Sequence, residues 1–333
     1  MRAHPAAPVG GGGVRPRTER RKGREMGKAR KGLMARKEQR AAYLFLSPWL
    51  FGLAAFWLIP IIASLLLSMS EWEIIRDPHW LGLQNYWEML FDDRVFWVSI
   101  RVTLKYMVLS VPLYLVCGLI LSLLLNLKIR GINLFRTILF LPSVLSGVAV
   151  AVLWVALLNP DVGAVNSVLR GLGIDDPPRW LQSPTWAVPS VVLVGLWGIG
   201  GGAIIYLSGL QNIGPQLYEA ALLDGAGPWQ RFRFVTLPMI TPTLLFVLLT
   251  GLIDAFQVFD IAYVLSQGGQ GGLGDSLQFY LINLWDAAFV QGRYGYASAL
   301  AWVMVLAAAA VILVIFKTSG RWVYYEYDPE RAR

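Results

Sequence analysis

The sequence predicts an all-α protein that crosses a membrane several times. Hydrophobic residues make up 56% of its 333 residues, and the mean hydropathy is +0.53. Charged residues make up only 15%, whereas soluble domains typically have about 25% charged and about 45–50% apolar residues. A soluble protein with so few charges would struggle to cover its surface with polar groups, so a polytopic membrane protein is the predicted class.

Six apolar runs support this class, and each is long enough to cross the hydrocarbon core of a bilayer. A helix needs about 20 residues to span about 30 Å of hydrocarbon. Several runs contain proline or glycine, which spanning helices tolerate where neighbouring helices satisfy the freed backbone groups. We therefore predict six transmembrane helices, near residues 43–70, 100–126, 132–158, 185–211, 238–265 and 294–317.

Basic residues are distributed unevenly over the segments that separate these runs. Residues 1–40 hold 13 Lys and Arg, and the loop near 127–136, the loop around Glu219 and the C-terminal end hold three, two and four more. The alternate loops together hold five. Because Lys and Arg favour the cytoplasmic side, we expect an inner-membrane protein with both termini and Glu219 in the cytoplasm. This sorting of charge by loop argues against nucleic acid as the partner of the net charge of +8.

Three regions follow from this pattern. Residues 1–40 are Gly-rich and strongly basic, a composition typical of disorder, and we predict a cytoplasmic tail. Residues 41–320 form the predicted transmembrane domain. Residues 321–333 are predicted to be a cytoplasmic C-terminal tail.

Histidine and nucleotide-binding patterns limit the chemistry available to the chain. The two histidines, His4 and His79, lie outside the apolar runs, so a histidine relay or a histidine-rich metal site inside the membrane is unavailable. No GxxxxGK[ST] pattern occurs, so the chain has no Walker-type nucleotide site. We therefore expect no catalytic residue, no metal and no cofactor on this chain, and any ATP and Mg²⁺ would be bound by a partner chain.

The Glu219 segment, Glu219–Pro242, is the only long polar stretch between apolar runs on the predicted cytoplasmic side. Pro215 suits the first turn of a helix. Asp224–Gly225 would end that helix, because glycine accepts the left-handed conformation of a C-terminal cap. Gly227–Pro228 would begin a second short helix. The prediction is a helix–turn–helix at the membrane surface, with the carboxylate of Glu219 available to a partner.

The motif in this segment resembles that of a known family. Glu219-Ala220-Ala221, Gly225 and Val235-Thr236-Leu237-Pro238 follow the EAA–G–IxLP pattern of the membrane subunits of bacterial ABC importers, with valine in place of isoleucine. The resemblance implies a type I ABC importer permease fold, in which the coupling loop, residues 213–237, docks onto a separate cytoplasmic ATPase. The coupling residues that it implies are Glu219, Ala220, Ala221, Asp224, Gly225, Leu237 and Pro238.

The run from Ile205 to Gln211, leading into Tyr218–Glu219, is similar to the carbohydrate-uptake branch of this family. That branch implies a sugar substrate, and we expect an oligosaccharide that crosses by alternating access. It also implies a second homologous permease, two copies of the ATPase and an extracytoplasmic solute-binding protein. Two alternatives stay open: the same scaffold importing glycerol phosphate or a polyol, and a secondary transporter that works without an ATPase.

Polar side chains in the fifth apolar run mark a candidate substrate path. Asp254, Gln257 and Asp260 recur every three residues, which would place them on one helix face, and ionisable residues inside a bilayer usually face a cavity or a partner. Trp197 offers an aromatic surface on which a sugar ring could stack. The alternative is that these residues serve helix packing, and for Asp260 we favour that alternative. The candidate path residues are Trp197, Gly198, Gly251, Asp254, Ala255 and Gln257.

Overall fold

A computed structural model describes residues 42–73 and 77–324, and almost all of the ordered elements in this part of the chain are helices. A single short antiparallel pair of strands, β1 (Ser70–Glu71) and β2 (His79–Trp80), occurs in the described residues. The predicted tail at 1–40 and most of that at 321–333 lie outside these residues. The helices are α1 (Ala42–Ser68), α2 (Gln84–Phe91), α3 (Arg94–Leu125), α4 (Ile132–Val144), α5 (Gly147–Leu157), α6 (Ala164–Gly171), α7 (Ala187–Trp197), α8 (Gly200–Gln211), α9 (Pro215–Leu223), α10 (Pro228–Met239), α11 (Thr241–Phe256), α12 (Asp260–Leu265), α13 (Tyr280–Val290) and α14 (Tyr294–Ser319).

Six membrane spans are present in the described residues when each bent pair of helices is taken as one span. The helices α1, α3 and α14 are each long and apolar enough to cross a membrane. The pairs α4–α5, α7–α8 and α10–α11 meet the same test together, with bends of 96°, 54° and 61°. The prediction of an all-α protein with six transmembrane helices is confirmed, but three of the six spans are broken.

The second span begins earlier than its apolar pattern predicts, at Arg94 rather than near residue 100. The Asp93 carboxylate accepts hydrogen bonds from the backbone N–H groups of Val95 and Phe96, at 2.7 Å and 3.1 Å. Such a cap satisfies donors that a helix N-terminus leaves free. The helix therefore begins at this cap, six residues before the predicted start of the span.

The chain divides into two units within α1, between Ala63 and Ser64. Residues 42–63 form one unit, a single apolar helix with a π-helical turn at Ala54–Leu58. The second unit begins at Ser64, and the packing described below lies within it.

The central helix of the second unit is α3, which packs against α7, α8, α11 and α13. Tyr106 and Met107 of α3 are buried in one apolar cluster with Val188 and Val191 of α7 and Leu252 of α11. Between membrane helices such contacts act through close van der Waals packing, because lipid is as apolar as the side chains. This cluster joins the second, fourth and fifth spans around α3.

Close backbone contact fixes the fourth span against the third. A Cβ atom built on Gly200, the first residue of α8, would overlap the carbonyl oxygen of Leu139 in α4. Only glycine allows the two backbones to approach so closely. The glycine-rich stretch at residues 198–202 therefore lies both at the bend between α7 and α8 and at the contact with α4.

The spans define two ends of the second unit, because consecutive spans cross a membrane in opposite directions. We call one end the distal end; it holds α2, the start of α3 and the loops at 158–186 and 257–293. A hydrogen bond of 3.0 Å from the backbone N–H of Tyr280 to the hydroxyl of Thr103 ties the last of these loops to α3. The Glu219 segment lies at the opposite end.

Candidate coupling surface and substrate path

The first helix of the candidate coupling loop, α9, is closed at both ends by local sequence. Pro215 occupies its first turn. At its end Gly225 has φ +79°, the backbone N–H of Ala226 donates to the carbonyl of Ala221 at 2.9 Å, and that of Gly225 donates to Leu222 at 3.0 Å. This pair of hydrogen bonds is a Schellman motif, which needs a left-handed residue at the position of the glycine. The predicted end of the helix at Gly225 is confirmed.

The second helix, α10, begins where the sequence predicts and continues farther than expected. The side-chain oxygen of Gln230 accepts a hydrogen bond of 2.7 Å from the backbone N–H of Gly227, the residue that caps the helix. A π-helical turn at Phe232–Thr236 comes directly before Leu237 and Pro238. The π-helical turn ends two residues before Pro238, which has no N–H to donate to the preceding turn. Leu237 and Pro238 therefore lie within α10, half-buried, and lead into α11, which begins at Thr241 as predicted.

A side-chain contact joins the two helices to each other and to the spans. The hydroxyl groups of Tyr218 in α9 and Thr236 in α10 lie 3.0 Å apart and share a hydrogen bond. Tyr218 also packs against a buried cluster that contains Tyr206 of α8, Ile213 and Ile240. Tyr218 thus connects α9 to residues of the fourth and fifth spans.

The exposed side of these helices carries large apolar side chains. Glu219 and Ala220 are exposed, and so are Leu223, Trp229 and Phe234, with exposed fractions of 90%, 71% and 72%. We call these five residues the coupling surface. Because they lie outside the apolar spans, these side chains make this end a candidate interaction surface. The sequence interpretation missed the last three, although their signal was visible as large apolar residues outside any span.

The aromatic side chain predicted to stack on a sugar already has an aromatic neighbour. Trp197 is 37% exposed, and its ring lies edge-on to Trp154 of α5, with 6.2 Å between the ring centroids. Gly198 follows as the residue that ends α7. Within the described residues no hydrogen bond or ring contact joins Trp197 to Asp254 or Gln257.

The shared face predicted for Asp254, Gln257 and Asp260 is wrong. Helix α11 ends at Phe256, Gln257 caps it, and Asp260 begins α12. The short helix α12 packs against α5, and a Cβ atom built on Gly147 would lie 3.5 Å from the Cβ of Asp260. No proline or glycine interrupts residues 252–265, so the break carries no sequence signal and is set by the packing of α12.

The remaining candidate path residues lie along the last turns of α11. Asp254 and Gln257 are exposed, whereas Ala255 is buried. A Cβ atom on Gly251 would have nothing within 4 Å, so open space lies beside this part of the helix. The structure therefore leaves Asp254 and Gln257 accessible but does not place them in a shared site with Trp197.

The distal end contains a polar cavity that the sequence interpretation did not define. Its volume is about 590 Å³, and it lies between the loops at 158–186 and 257–293. Its lining contains amide groups, which donate and accept hydrogen bonds, and a guanidinium group, which donates them. Sugar hydroxyls require both donors and acceptors. None of the six predicted path residues lines this cavity. Its polar lining includes Asn159, Arg179, Gln182, Ser266, Gln267 and Gln270.

An ion pair fixes α2 against the start of the last span at the same end. One guanidinium nitrogen of Arg293 donates to both carboxylate oxygens of Glu88, at 2.8 Å and 2.7 Å. The Arg293 guanidinium also lies 4.5 Å from the ring centroid of Tyr296, whose hydroxyl donates to Asp93. The hydrogen bond to Glu88 raises the pKa of Arg293 above its ordinary value, against the opposing effect of partial burial.

Comparison with known proteins decides the family. Residues 114–330 match the model of a protein family described as binding-protein-dependent transport system inner membrane component. The chain belongs to this family. The matched region runs from the middle of α3 to the C-terminal end and contains the whole coupling surface. The chain is therefore a membrane-embedded permease, a transport subunit rather than an enzyme.

Individual relatives cover most of the permease. It is 40% identical over 302 residues to the probable ABC transporter permease protein YesP of Bacillus subtilis (strain 168). The aligned region covers 90% of this chain and 97% of that protein. It is 34% identical over 284 residues to the trehalose/maltose transport system permease protein MalF of Thermococcus litoralis, with coverages of 84% and 94%.

A solved structure gives the same result for the fold. A crystal structure of a bacterial ABC transporter involved in the import of the acidic polysaccharide alginate contains a chain that matches with a TM-score of 0.75 and 27% identity. The match covers 87% of this permease and 99% of that chain. The predicted type I ABC importer permease fold is thus confirmed.

Proposed function

We propose that this permease imports a sugar, an oligosaccharide, as one subunit of an ATP-driven transporter, and that its coupling surface docks onto a separate ATPase. The observation that carries the proposal is the exposed apolar surface around Glu219, at one end of the spans, on two helices tied to those spans. The naming of the relatives as ABC transporter permeases supports the same assignment.

The docking surface combines one charge with a set of apolar contacts. The carboxylate of Glu219 offers an ion-pair partner at the rim, and Leu223, Trp229 and Phe234 offer the apolar area that a protein interface buries at its centre. The basic loops favour a cytoplasmic position for this end, where an ATPase has access to ATP. ATP and Mg²⁺ would be held by that ATPase and not by this chain.

The mechanism that we infer is alternating access driven from the coupling surface. Closure of two ATPase copies pushes α9, and the contact between Tyr218 and Thr236 passes that displacement to the fourth and fifth spans. Both spans are bent, by 54° and 61°, and in this mechanism the two halves of each span move about the bend. Their movement, together with that of a second homologous permease, opens the path towards the distal end. Nucleotide hydrolysis then resets the transporter.

The distal end is where we place the solute-binding protein on which the family's transport systems depend. The polar cavity of about 590 Å³ lies there and would receive the sugar on release. Within the membrane we propose that Asp254, Gln257 and Trp197 contact the sugar, with Gly198, Gly251 and Ala255 providing space beside them.

A saccharide is the substrate class best supported by the relatives, one named for trehalose and maltose and one for alginate. Glycerol phosphate or a polyol on the same scaffold is the first alternative. A secondary transporter is disfavoured, because the family works with binding proteins. Uptake of labelled neutral sugars, acidic sugars and glycerol phosphates, in cells with and without the permease, identifies the substrate. Loss confined to glycerol phosphate would replace the sugar assignment.

Docking is tested by co-purification of the ATPase with variants of the coupling surface. Glu219→Lys reverses the charge, and Gly225→Pro removes the conformation at φ +79°, because proline is confined to φ of about −65°. We expect both variants to insert into the membrane and to lose most of the co-purifying ATPase. Asp161→Lys, an exposed carboxylate at the distal end, is the matched control and should retain it. Retention of the ATPase by both coupling variants would overturn the docking assignment.

A further inference from the structure

A second cavity at the distal end is lined by positive charge. It has a volume of about 380 Å³ and lies between α3, the start of α7 and the loop at 274–276. One face of α3 contributes Arg94, Arg101 and Lys105 to its lining, and the loop contributes Asp275 and Ser276. The volume is within the range of about 300–1,000 Å³ that is typical of small-molecule sites.

The charges in this cavity are not balanced by the protein. Three cations and one carboxylate leave a net charge of +2. Asp275 pairs with Arg94, at 3.5 Å. The side chain of Arg101 donates only to the backbone carbonyl of Trp97, at 3.2 Å, and within the described residues neither Arg101 nor Lys105 has a carboxylate partner.

An unpartnered hydroxyl group points to a ligand in the same place. The side chain of Ser276 is 8% exposed, and its Oγ atom has no hydrogen-bond partner among the described residues. A buried hydroxyl without a partner carries a desolvation cost of about 1–3 kcal/mol. If this hydroxyl turned towards the cavity, an oxygen-rich ligand there would accept a hydrogen bond from it, and the anionic group of the ligand would pair with Arg101 and Lys105, which are exposed.

The position of these cations along α3 makes them accessible to a solute. The helix has 32 residues and a length of about 48 Å at 1.5 Å per residue, which exceeds the hydrocarbon core of about 30 Å by about 18 Å. Arg101 and Lys105 lie about 10 Å and about 16 Å from its distal end. If the other end of α3 lies at the opposite interface, both cations fall in the stretch beyond the hydrocarbon, where water and solute have access.

We infer that this cavity binds an anionic substituent of the transported solute, and that the substrate class is therefore an acidic saccharide and not a neutral one. The inference rests on the proposed function and refines it. Arg101 pairs with the carboxylate of an acidic sugar, Lys105 adds a second charge contact, and Ser276 donates to an oxygen of the same ring. Phosphate carries the same anionic chemistry, either on a glycerol phosphate or on a lipid headgroup, and the experiment separates these sources.

The test measures binding to the full-length permease in nanodiscs of phosphatidylcholine, without any ATPase. The probes are trigalacturonate, its carboxyl-reduced neutral counterpart and glycerol 3-phosphate, titrated by saturation-transfer NMR. We expect wild-type permease to bind trigalacturonate at least about five-fold more tightly than the reduced sugar, which is about 1 kcal/mol. The variant Arg101→Gln/Lys105→Gln should lose this preference. Lys128→Gln/Arg130→Gln removes two exposed cations from the opposite end and should retain it.

Several results would overturn the inference. Equal or undetectable binding of the two sugars by wild-type permease would do so, as would a preference retained by Arg101→Gln/Lys105→Gln. Tighter binding of glycerol 3-phosphate than of trigalacturonate would assign the cavity to a phosphorylated solute. Loss of sugar binding in nanodiscs that contain phosphatidylglycerol would assign it to a lipid headgroup. Co-purification of the ATPase, measured on the same variants, separates failure of this inference from failure of the proposed function.

Discussion

The hydroxyl group of Tyr218 in α9 lies 3.0 Å from that of Thr236 in α10, and this hydrogen bond closes the turn between the two helices of the coupling surface. Thr236 is buried, with an exposed fraction of 6%. The contact therefore ties the exposed helix α9 to a part of the chain that continues directly into the fifth span.

Tyr218→Phe removes this hydrogen bond and keeps the ring in its apolar cluster. We expect the free energy of unfolding to fall by about 1 kcal/mol, and sugar uptake to fall while the ATPase still co-purifies, because docking no longer moves the spans as one unit. Thermal unfolding and uptake are measured on the same preparations. Tyr263→Phe is the control, because its hydroxyl makes no hydrogen bond within the described residues. Wild-type uptake by Tyr218→Phe would show that the contact does not transmit movement.

Gly200→Ala should separate the third span from the fourth. The added Cβ atom would overlap the carbonyl oxygen of Leu139, so the backbones must move apart, at a cost of about 1–3 kcal/mol. We expect a lower unfolding temperature and reduced uptake. Gly202→Ala lies in the same helix with nothing within 4 Å of its added Cβ and should be near wild type. Equal stability of the two variants would contradict the close contact.

Arg293→Gln should loosen α2 from the last span. It removes a guanidinium that contacts both oxygens of Glu88, and because each side chain is 38% exposed, we expect a loss of about 1–2 kcal/mol, between surface and buried pairs. Arg94→Gln breaks a more exposed pair and should cost less than about 1 kcal/mol.

The contribution of Arg293 to the free energy of unfolding should stay constant across physiological pH, because its guanidinium group stays protonated there. Glu88 raises the pKa of Arg293 in the folded protein, so this stabilisation is fully present below the ordinary pKa of the guanidinium. It is lost only as the pH rises through the raised value. Thermal unfolding of wild type and Arg293→Gln between pH 7 and pH 9 should give a constant difference. A difference that shrinks across this range would contradict the assignment.

The double variant Asp254→Ala/Gln257→Ala tests the proposed substrate path. If both side chains bond to the sugar, their removal should lower uptake by about five- to 150-fold, since each hydrogen bond contributes about 0.5–1.5 kcal/mol and a factor of ten is about 1.4 kcal/mol. The ATPase should still co-purify. Thr250→Ala, on the same helix, removes a hydroxyl that bonds only to backbone carbonyls of its own helix and serves as the control. Wild-type uptake by the double variant would remove both residues from the path.

Local features of the candidate site were predictable from the sequence, and features set by contact between distant segments were not. Gly225 ends α9 because its φ of +79° is a property of one residue and its immediate neighbours. Asp260, by contrast, leaves the helix of Asp254 because α12 packs against α5, more than 100 residues earlier in the chain. No periodicity reports that contact. The exposure of Leu223 and Trp229 likewise depends on the tertiary structure, although the sequence already shows two large apolar residues outside any predicted span.

The sequence by itself determined the class of this protein, its six apolar spans, the two helices around Glu219 and the family to which they belong. These follow from composition, apolar length and turn residues, which act over short distances. The tertiary structure alone decided the bends in three spans and the break after Phe256. It also placed Arg101 and Lys105 of α3 and the hydroxyl-bearing Ser276 around one cavity at the distal end. Such groups are separated by some 170 residues, and only the packing of the helices brings them into one cavity.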